Sequence, residues 1–341
     1  MISKNHHTVS VIICTHNHVA DLVATLLECI NIVNKCVFKI QILVCANGCT
    51  DGTENEVEAI VKESPAIDIK LIVRTQAGKT ASLIDGILNS SGEFALILDD
   101  DNTLLDGWIE AAINIFKQEP GTGVLGCNSI LPKDYKVNGF VNEYMNHFAV
   151  GEQSANVCAG GSNVKRVWGA GMILRLSPIK QWLKSGQGFL LGGRVRNNLL
   201  AGEDTELCLL FYRWRYATRA IDFIGIIHRI DPKRLNEVVL RRLWRSEGTA
   251  YQIYRNYDKS CAFIEGSPIS KIKVRKIMAS FGKSILVVAL STLILYFNKK
   301  TEWLKRREIH VGLIKGIYLF IKRRTVIQKH FTKLEQWESL R

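Results

Sequence analysis

Phe94-Ala95-Leu96-Ile97-Leu98-Asp99-Asp100-Asp101 is an apolar run that stops at three consecutive carboxylates. A short run without alternation, bounded by polar residues, has the length and character of a strand buried on both faces. The design recurs upstream. Residues 9–14 (VSVIIC) stop at Thr15-His16-Asn17, and residues 40–45 (IQILVC) run through Ala46 into the turn Asn47-Gly48-Cys49-Thr50-Asp51-Gly52. Residues 69–74 form a further strand, while 21–33, 54–62 and 81–89 carry apolar positions at helical spacing. Such alternation predicts βαβ units, hence an α/β fold with a Rossmann-like, mostly parallel sheet flanked by helices. Ligands collect at the carboxyl ends of strands in such sheets. Three polar clusters fall at those ends, which points to a single site.

Downstream, the pattern predicts a helix over 108–116, a strand over 123–127 and a long loop over 130–160. Residues 168–174 read as a strand in which Gly169 and Gly171, beside Trp168, permit close backbone approach. A glycine-rich stretch over 187–193 leads to Arg194 and Arg196. A helix over 203–214 opens with Glu203 and Asp204, a strand covers 222–227, and a long basic helix covers 236–257. This divides the chain into an α/β domain over 1–235, a closing helix and linker over 236–270, and a helical extension over 271–341.

The formal charge is +13 across 341 residues. Residues 299–341 hold twelve Lys or Arg against four Glu, so more than half of the excess lies there. Residues 284–297 carry no charge, and residues 303–324 interleave apolar residues with Lys and Arg. Fourteen apolar residues are short for a span, whereas a basic amphipathic helix suits a membrane interface. Residues 271–341 are therefore expected to meet an anionic membrane surface, peripherally or monotopically at the cytoplasmic face. A basic tail packed on the domain or on a partner, with oligomerisation through these helices, is the other reading. No nucleic-acid recognition element is visible. Nine cysteines without a CxxC pair suggest a reducing compartment rather than a zinc site or disulfide framework. The polar amino terminus reads as lacking a secretory signal.

Asp99 and Asp101, two apart on an extended strand, would face the same side, as chelation of a hard cation requires. Asp51 reads as an N-cap, and Asn47 with Asp51 reads alternatively as a base or ribose contact. Glu203 and Asp204 suit either a helix N-terminus or an acid–base role. Arg194 and Arg196 form a phosphate-binding loop or a basic surface loop. Trp244 reads as an anchor for its helix.

Taken in order, residues 11–17 (VIICTHN), residues 47–53 (NGCTDGT), Gly78-Lys79, the run at Asp99, Gly169-Ala170-Gly171 and Gly202-Glu203-Asp204 resemble the motifs of family 2 inverting glycosyltransferases with the GT-A fold. The resemblance covers about residues 8–235. It implies that Asn47 and Asp51 sit on the base of a nucleotide-diphosphate sugar donor, with Thr15 and Asn17 near ribose and pyrophosphate and Lys79 and Asp100 in the same donor site. It implies that Asp101 binds Mn2+ or Mg2+, that Asp99 contacts sugar or ribose, and that Asp204 is the base with Glu203 in support; His228 would be a further metal or phosphate ligand, or else an exposed loop residue. The acceptor, a glycan or lipid-linked sugar, would meet Trp168, Gly169, Gly171, Arg194, Arg196 and Trp244. Arg241-Arg242-Leu243-Trp244 only partly resembles the Q/RxxRW signature of processive members, which favours one sugar per encounter. A nucleotidyltransferase making a sugar nucleotide and a non-catalytic nucleotide-binding membrane scaffold are the rival readings.

Overall fold

In a computed structural model, the described residues are 8–153, 166–192, 194–195, 198–199, 202–262, 274–297 and 301–339. They form two compact units. The first comprises Met1–Lys136, Ala149–Val195 and Glu203–Pro232; the second comprises Val137–Phe148, Arg196–Gly202 and Lys233–Arg341.

The first unit follows the expected alternation: β1 (Val9–Thr15), α1 (Val19–Lys35), β2 (Ile40–Asn47), α2 (Thr53–Glu63), β3 (Asp68–Arg74), α3 (Lys79–Asn89) and β4 (Phe94–Asp99). Next come β5 (Asn102–Leu104), α4 (Trp108–Gln118) and β6 (Thr122–Ile130). The short helix α5 (Gly139–Asn142) belongs to the second unit. The chain continues through β7 (Ile173–Arg175), α6 (Leu176–Lys184), the two-residue strands β8 (Arg194–Val195) and, in the second unit, β9 (Asn198–Leu199), then α7 (Glu203–Arg213) and β10 (Ala217–His228) of the first. Eight strands form one sheet in the order β3-β2-β1-β4-β7-β6-β10-β5. Pairing is parallel from β3 through β4 and between β6 and β10. It is antiparallel where β7 enters between β4 and β6 and where β5 closes the edge.

Every residue of β1 and β2 is buried, which explains why these strands read as continuous runs rather than alternating ones. Helix α1 lays Leu22, Thr25, Leu26, Cys29 and Ile32 on the sheet at the spacing of one helical face. Each fully buried aliphatic side chain contributes about 1.5–3 kcal/mol. The core therefore fixes the strand ends on which the polar clusters stand.

Two expectations need correction. The strand read over 168–174 is only Ile173–Arg175, and the glycines before it form a turn, with Met172 N donating to Gly169 O (3.1 Å). Gly171 has φ +75°, and a Cβ there would lie 2.5 Å from Cys127 Sγ. The fully buried Trp108 donates from Nε1 to the Gly171 carbonyl (3.0 Å), holding the turn from below. The strand read over 222–227 begins at Ala217 and carries a register shift between Ile221 and Gly225.

The second unit is mainly helical, with α8 (Glu237–Ala262), α9 (Val274–Phe297), α10 (Thr301–Lys322) and α11 (Arg324–Ser339). Helices α8 and α10 meet backbone to backbone: a Cβ at Gly312 would lie 2.0 Å from the Arg245 carbonyl oxygen. The fully buried Glu308 pins the pair, accepting from Arg245 and from Arg307 (2.7 Å). Among the described residues, no helix is long and apolar enough to cross a membrane.

Candidate active site

Thr15, Asn47 and Asp99 terminate β1, β2 and β4, three neighbouring parallel strands inside the sheet, so the site lies at their carboxyl ends. The residues expected to meet a nucleotide lock the surrounding loops together. Asn47 Oδ1 accepts from Gly78 N (2.6 Å), and its carbonyl accepts from His16 Nδ1 (2.7 Å). Asn17, held at φ 57°, accepts from Thr50 N (2.7 Å). Asp51 is not itself an N-cap, since Gly52 holds that position for α2 and His18 for α1, but it reaches the first N–H of each helix: Oδ1 accepts from Thr53 N (3.2 Å) and Oδ2 from Val19 N (3.0 Å).

The three carboxylates of the acidic run diverge. Asp99 ends β4, while Asp100 and Asp101 lie in the turn before β5, so the same-side geometry of a continuous strand does not apply. Asp99 accepts from Lys79 Nζ (2.7 Å), and Asp100 from Thr15 Oγ1 (2.6 Å) with His18 Nδ1 at 3.5 Å. Asp101 lies 3.4 Å from His228 Nε2 and accepts from Asn102 Nδ2 (3.1 Å). Burial raises Asp100 above the usual carboxylate range, and Asp99 and Asp101 add to this against the hydrogen bond from Thr15.

His228 ends β10 and is buried, so it is not an exposed loop residue. The antiparallel pairing of β10 with β5 sets His228 opposite Asn102, which brings its ring to Asp101. A carboxylate facing an imidazole is a competent donor pair for Mn2+ or Mg2+. Among the described residues, no group of three His, Cys, Asp or Glu side chains could hold a metal alone. The pair thus fits an ion that keeps phosphate oxygens and water as further ligands, and not an all-protein cage.

A second cluster includes Asp99, in a cavity walled by Cys14, Leu83, Ile97 and Leu207 and carrying Lys79, Asp99, Gly169, Glu203 and Asp204. Glu203 and Asp204 open α7, and Lys79 opens α3. Lys79 Nζ lies 3.7 Å from Glu203 Oε1 as well as pairing Asp99, so one cation serves several carboxylates. Asp204 accepts from Thr205 N (2.6 Å) and from Gly169 N (3.2 Å). Burial, reinforced by Glu203, pushes Asp204 up to about 6; its two backbone hydrogen bonds and Lys79 oppose the rise. The glycine turn is therefore a donor to the acidic cluster.

Sequence reading missed some contributors. Glu206 is fully buried and accepts from Leu190 N (2.8 Å) and Leu191 N (2.7 Å), fastening the glycine-rich segment to α7. One turn after Glu203 on α7, it carries no local pattern that would single it out. Trp168 is half-buried, its N–H donating to Gln153 Oε1 (2.7 Å). Trp244 is corrected: its ring is fully buried in the second unit, edge-on to Tyr144 (5.2 Å) and His147 (6.0 Å), which is an anchor and leaves no face for an acceptor. Arg194 is described in its backbone only, and Arg196 lies outside the described residues.

A family model described as Glycosyl transferase family 2 matches residues 10–183. No curated protein matches the sequence. Among solved structures, the mannosyltransferase PcManGT from Pyrobaculum calidifontis, in complex with GDP-Man and Mn2+, is similar at TM-score 0.54 and 14% identity, over 92% of this chain and 88% of its own. TarS 1-349 of S. aureus with UDP-GlcNAc is similar at TM-score 0.49 and 14% identity, over 96% and 92%. Glucosyl-3-phosphoglycerate synthase of Mycobacterium tuberculosis, with phosphoglyceric acid, is similar at TM-score 0.48 and 15% identity, over 74% and 80%.

Proposed function

The chain belongs to glycosyl transferase family 2, with the GT-A fold its motifs implied, and on that premise we propose that it moves a sugar from a nucleotide-diphosphate donor to a hydroxyl of a glycan or lipid-linked acceptor, with inversion and one sugar per encounter. The observation that carries this reading is Asp204, a carboxylate lining a cavity beside Asp99 and Lys79 and raised to about 6. A base with that affinity is largely ionised at neutral pH yet holds a proton far better than an ordinary Asp. Its two backbone hydrogen bonds fix the carboxylate and leave lone pairs for an incoming hydroxyl.

In the reaction, Asp204 takes the acceptor proton as the acceptor oxygen bonds to the anomeric carbon. The bond from that carbon to the diphosphate breaks on the opposite face, and its electron pair leaves with the nucleoside diphosphate. Displacement in one step needs no enzyme nucleophile. Glu203 sits beside the base, and Lys79 moderates the negative charge that both carry. Asp101 and His228 would hold Mn2+ or Mg2+, which when bound neutralises charge on the departing diphosphate. Asn17, Asn47 and Asp51 tie the three loops of the donor site into one frame. The structurally similar mannosyltransferase bound to GDP-Man and Mn2+ supports a nucleotide-sugar donor and a divalent ion.

Asp204→Asn tests the assignment. Transfer is expected to be abolished while nucleoside-diphosphate binding, read by calorimetry, stays within about twofold, since the base acts on the acceptor. Undiminished turnover of the variant would overturn the role of Asp204.

A further inference from the structure

Helix α9 is inside out for a helix bathed in water. Ser284 and Ser291, seven residues apart and so on one face, are 1% and 0% exposed, while Leu286, Leu290 and Leu293 are 60%, 45% and 57% exposed. A surface helix of a globular protein normally turns its leucines to the core and its serines to solvent. The serine face packs along α10, where Ser284 Oγ meets His310 Nδ1 at 3.2 Å. Small and hydroxyl side chains between helices, with aliphatic side chains outward, form the pattern of helices surrounded by lipid. The α8–α10 contact repeats it, because Gly312 and Gly316 lie against the backbone of α8.

From this polarity we propose that the second unit docks on the surface of an anionic bilayer through the Leu286–Leu290–Leu293 face of α9, lying in the interface without crossing it. Among the described residues no helix is long and apolar enough to cross a membrane. Charge selects the partner. Residues 299–341 carry twelve Lys or Arg against four Glu, and α10 exposes Tyr318 and Ile321 between Lys315 and Lys322, the composition of an interfacial helix. A second copy on the same face would set this net +8 against itself, whereas anionic headgroups neutralise it. The proposal stands on the second unit alone and does not depend on how the sheet unit is read.

The test uses the full chain, purified in detergent and mixed with vesicles of phosphatidylcholine alone or with added phosphatidylglycerol, then floated on a density gradient. The wild type is expected to float with the anionic vesicles and to be largely left behind by the neutral ones. L286E/L290E/L293E should reduce the vesicle-bound fraction by about tenfold or more, with an unchanged helical circular-dichroism signal, since these side chains meet no core. L286A/L290A/L293A, which keeps helix propensity and adds no charge, should lose binding in the same direction. K315Q/K322Q should weaken binding to anionic vesicles selectively. Wild type that fails to float, or leucine variants that float as it does, would overturn the proposal. So would light scattering showing that the leucine variants turn a dimer into a monomer while flotation is unchanged, which would assign the face to a second copy.

Discussion

Replacing Asp204 by Asn should make the protein more stable at alkaline pH while destroying its activity, and the size of the effect follows from the cavity. An Asp moved from its ordinary value of 3.8 to about 6 binds protons more tightly folded than unfolded. Its contribution to stability is therefore complete below the unfolded value and is lost as pH rises through the folded one. Above both values the ionised carboxylate costs the folded state about 3 kcal/mol at about 1.4 kcal/mol per unit; at about pH 4.5 the same linkage leaves only about 1 kcal/mol. Asn carries no such cost. Its carbonyl can keep the hydrogen bond from Thr205 N, but its amide cannot accept from Gly169 N as Oδ2 does, a loss of about 1 kcal/mol. The variant should thus be more stable by about 2 kcal/mol at about pH 8 and equal to wild type near pH 4.5. Urea unfolding at the two pH values, followed by tryptophan fluorescence, reads both numbers. A stability difference that is the same at both pH values, or a variant weaker than wild type at the higher one, would refute the claim that desolvation raises this carboxyl.

Lys79 lowers Asp204 and pairs Asp99, so Lys79→Met should move the acid limb of the pH–rate profile upward from about 6; an unmoved limb would separate Lys79 from the base. Gly171→Ala places a Cβ 2.5 Å from Cys127 Sγ at φ +75° and should cost about 1–3 kcal/mol in urea unfolding. Wild-type stability would show that the turn relaxes freely. Asp101→Ala should weaken Mn2+-dependent nucleoside-diphosphate binding by about tenfold or more in calorimetry, leaving the metal-free affinity nearly unchanged. Equal loss with and without Mn2+ would argue against a ligand role.

The strands that built the site were legible because both of their faces are buried. β1, β2 and β4 read as apolar runs interrupted only by Ser10 and Gln41, and the polar residues after them marked the ends at which Thr15, Asn47 and Asp99 stand. What could not be read depended on contacts distant in sequence. The shortness of β7 follows from the turn at Gly171 and from Trp108, 63 residues away, bonding its carbonyl. The divergence of Asp99 from Asp101 follows from β4 ending at Asp99, and from partners on α3 and β10 that no local pattern names. Trp244 looked available beside its arginines, yet Tyr144, about a hundred residues earlier, closes on its ring. The helix α6 begins directly at the end of β7, without the polar linker that usually announces a helix.

The central claim concerns the bond that breaks, and the most direct measurement is analysis of the products formed from a panel of nucleotide sugars incubated with Mn2+. Even without an acceptor, water can take the acceptor's place slowly, so wild type is expected to release nucleoside diphosphate and free sugar from at least one donor, and Asp204→Asn to release neither. Release of pyrophosphate when a nucleoside triphosphate and a sugar phosphate are supplied, or nucleotide binding without turnover of any sugar donor, would contradict the account.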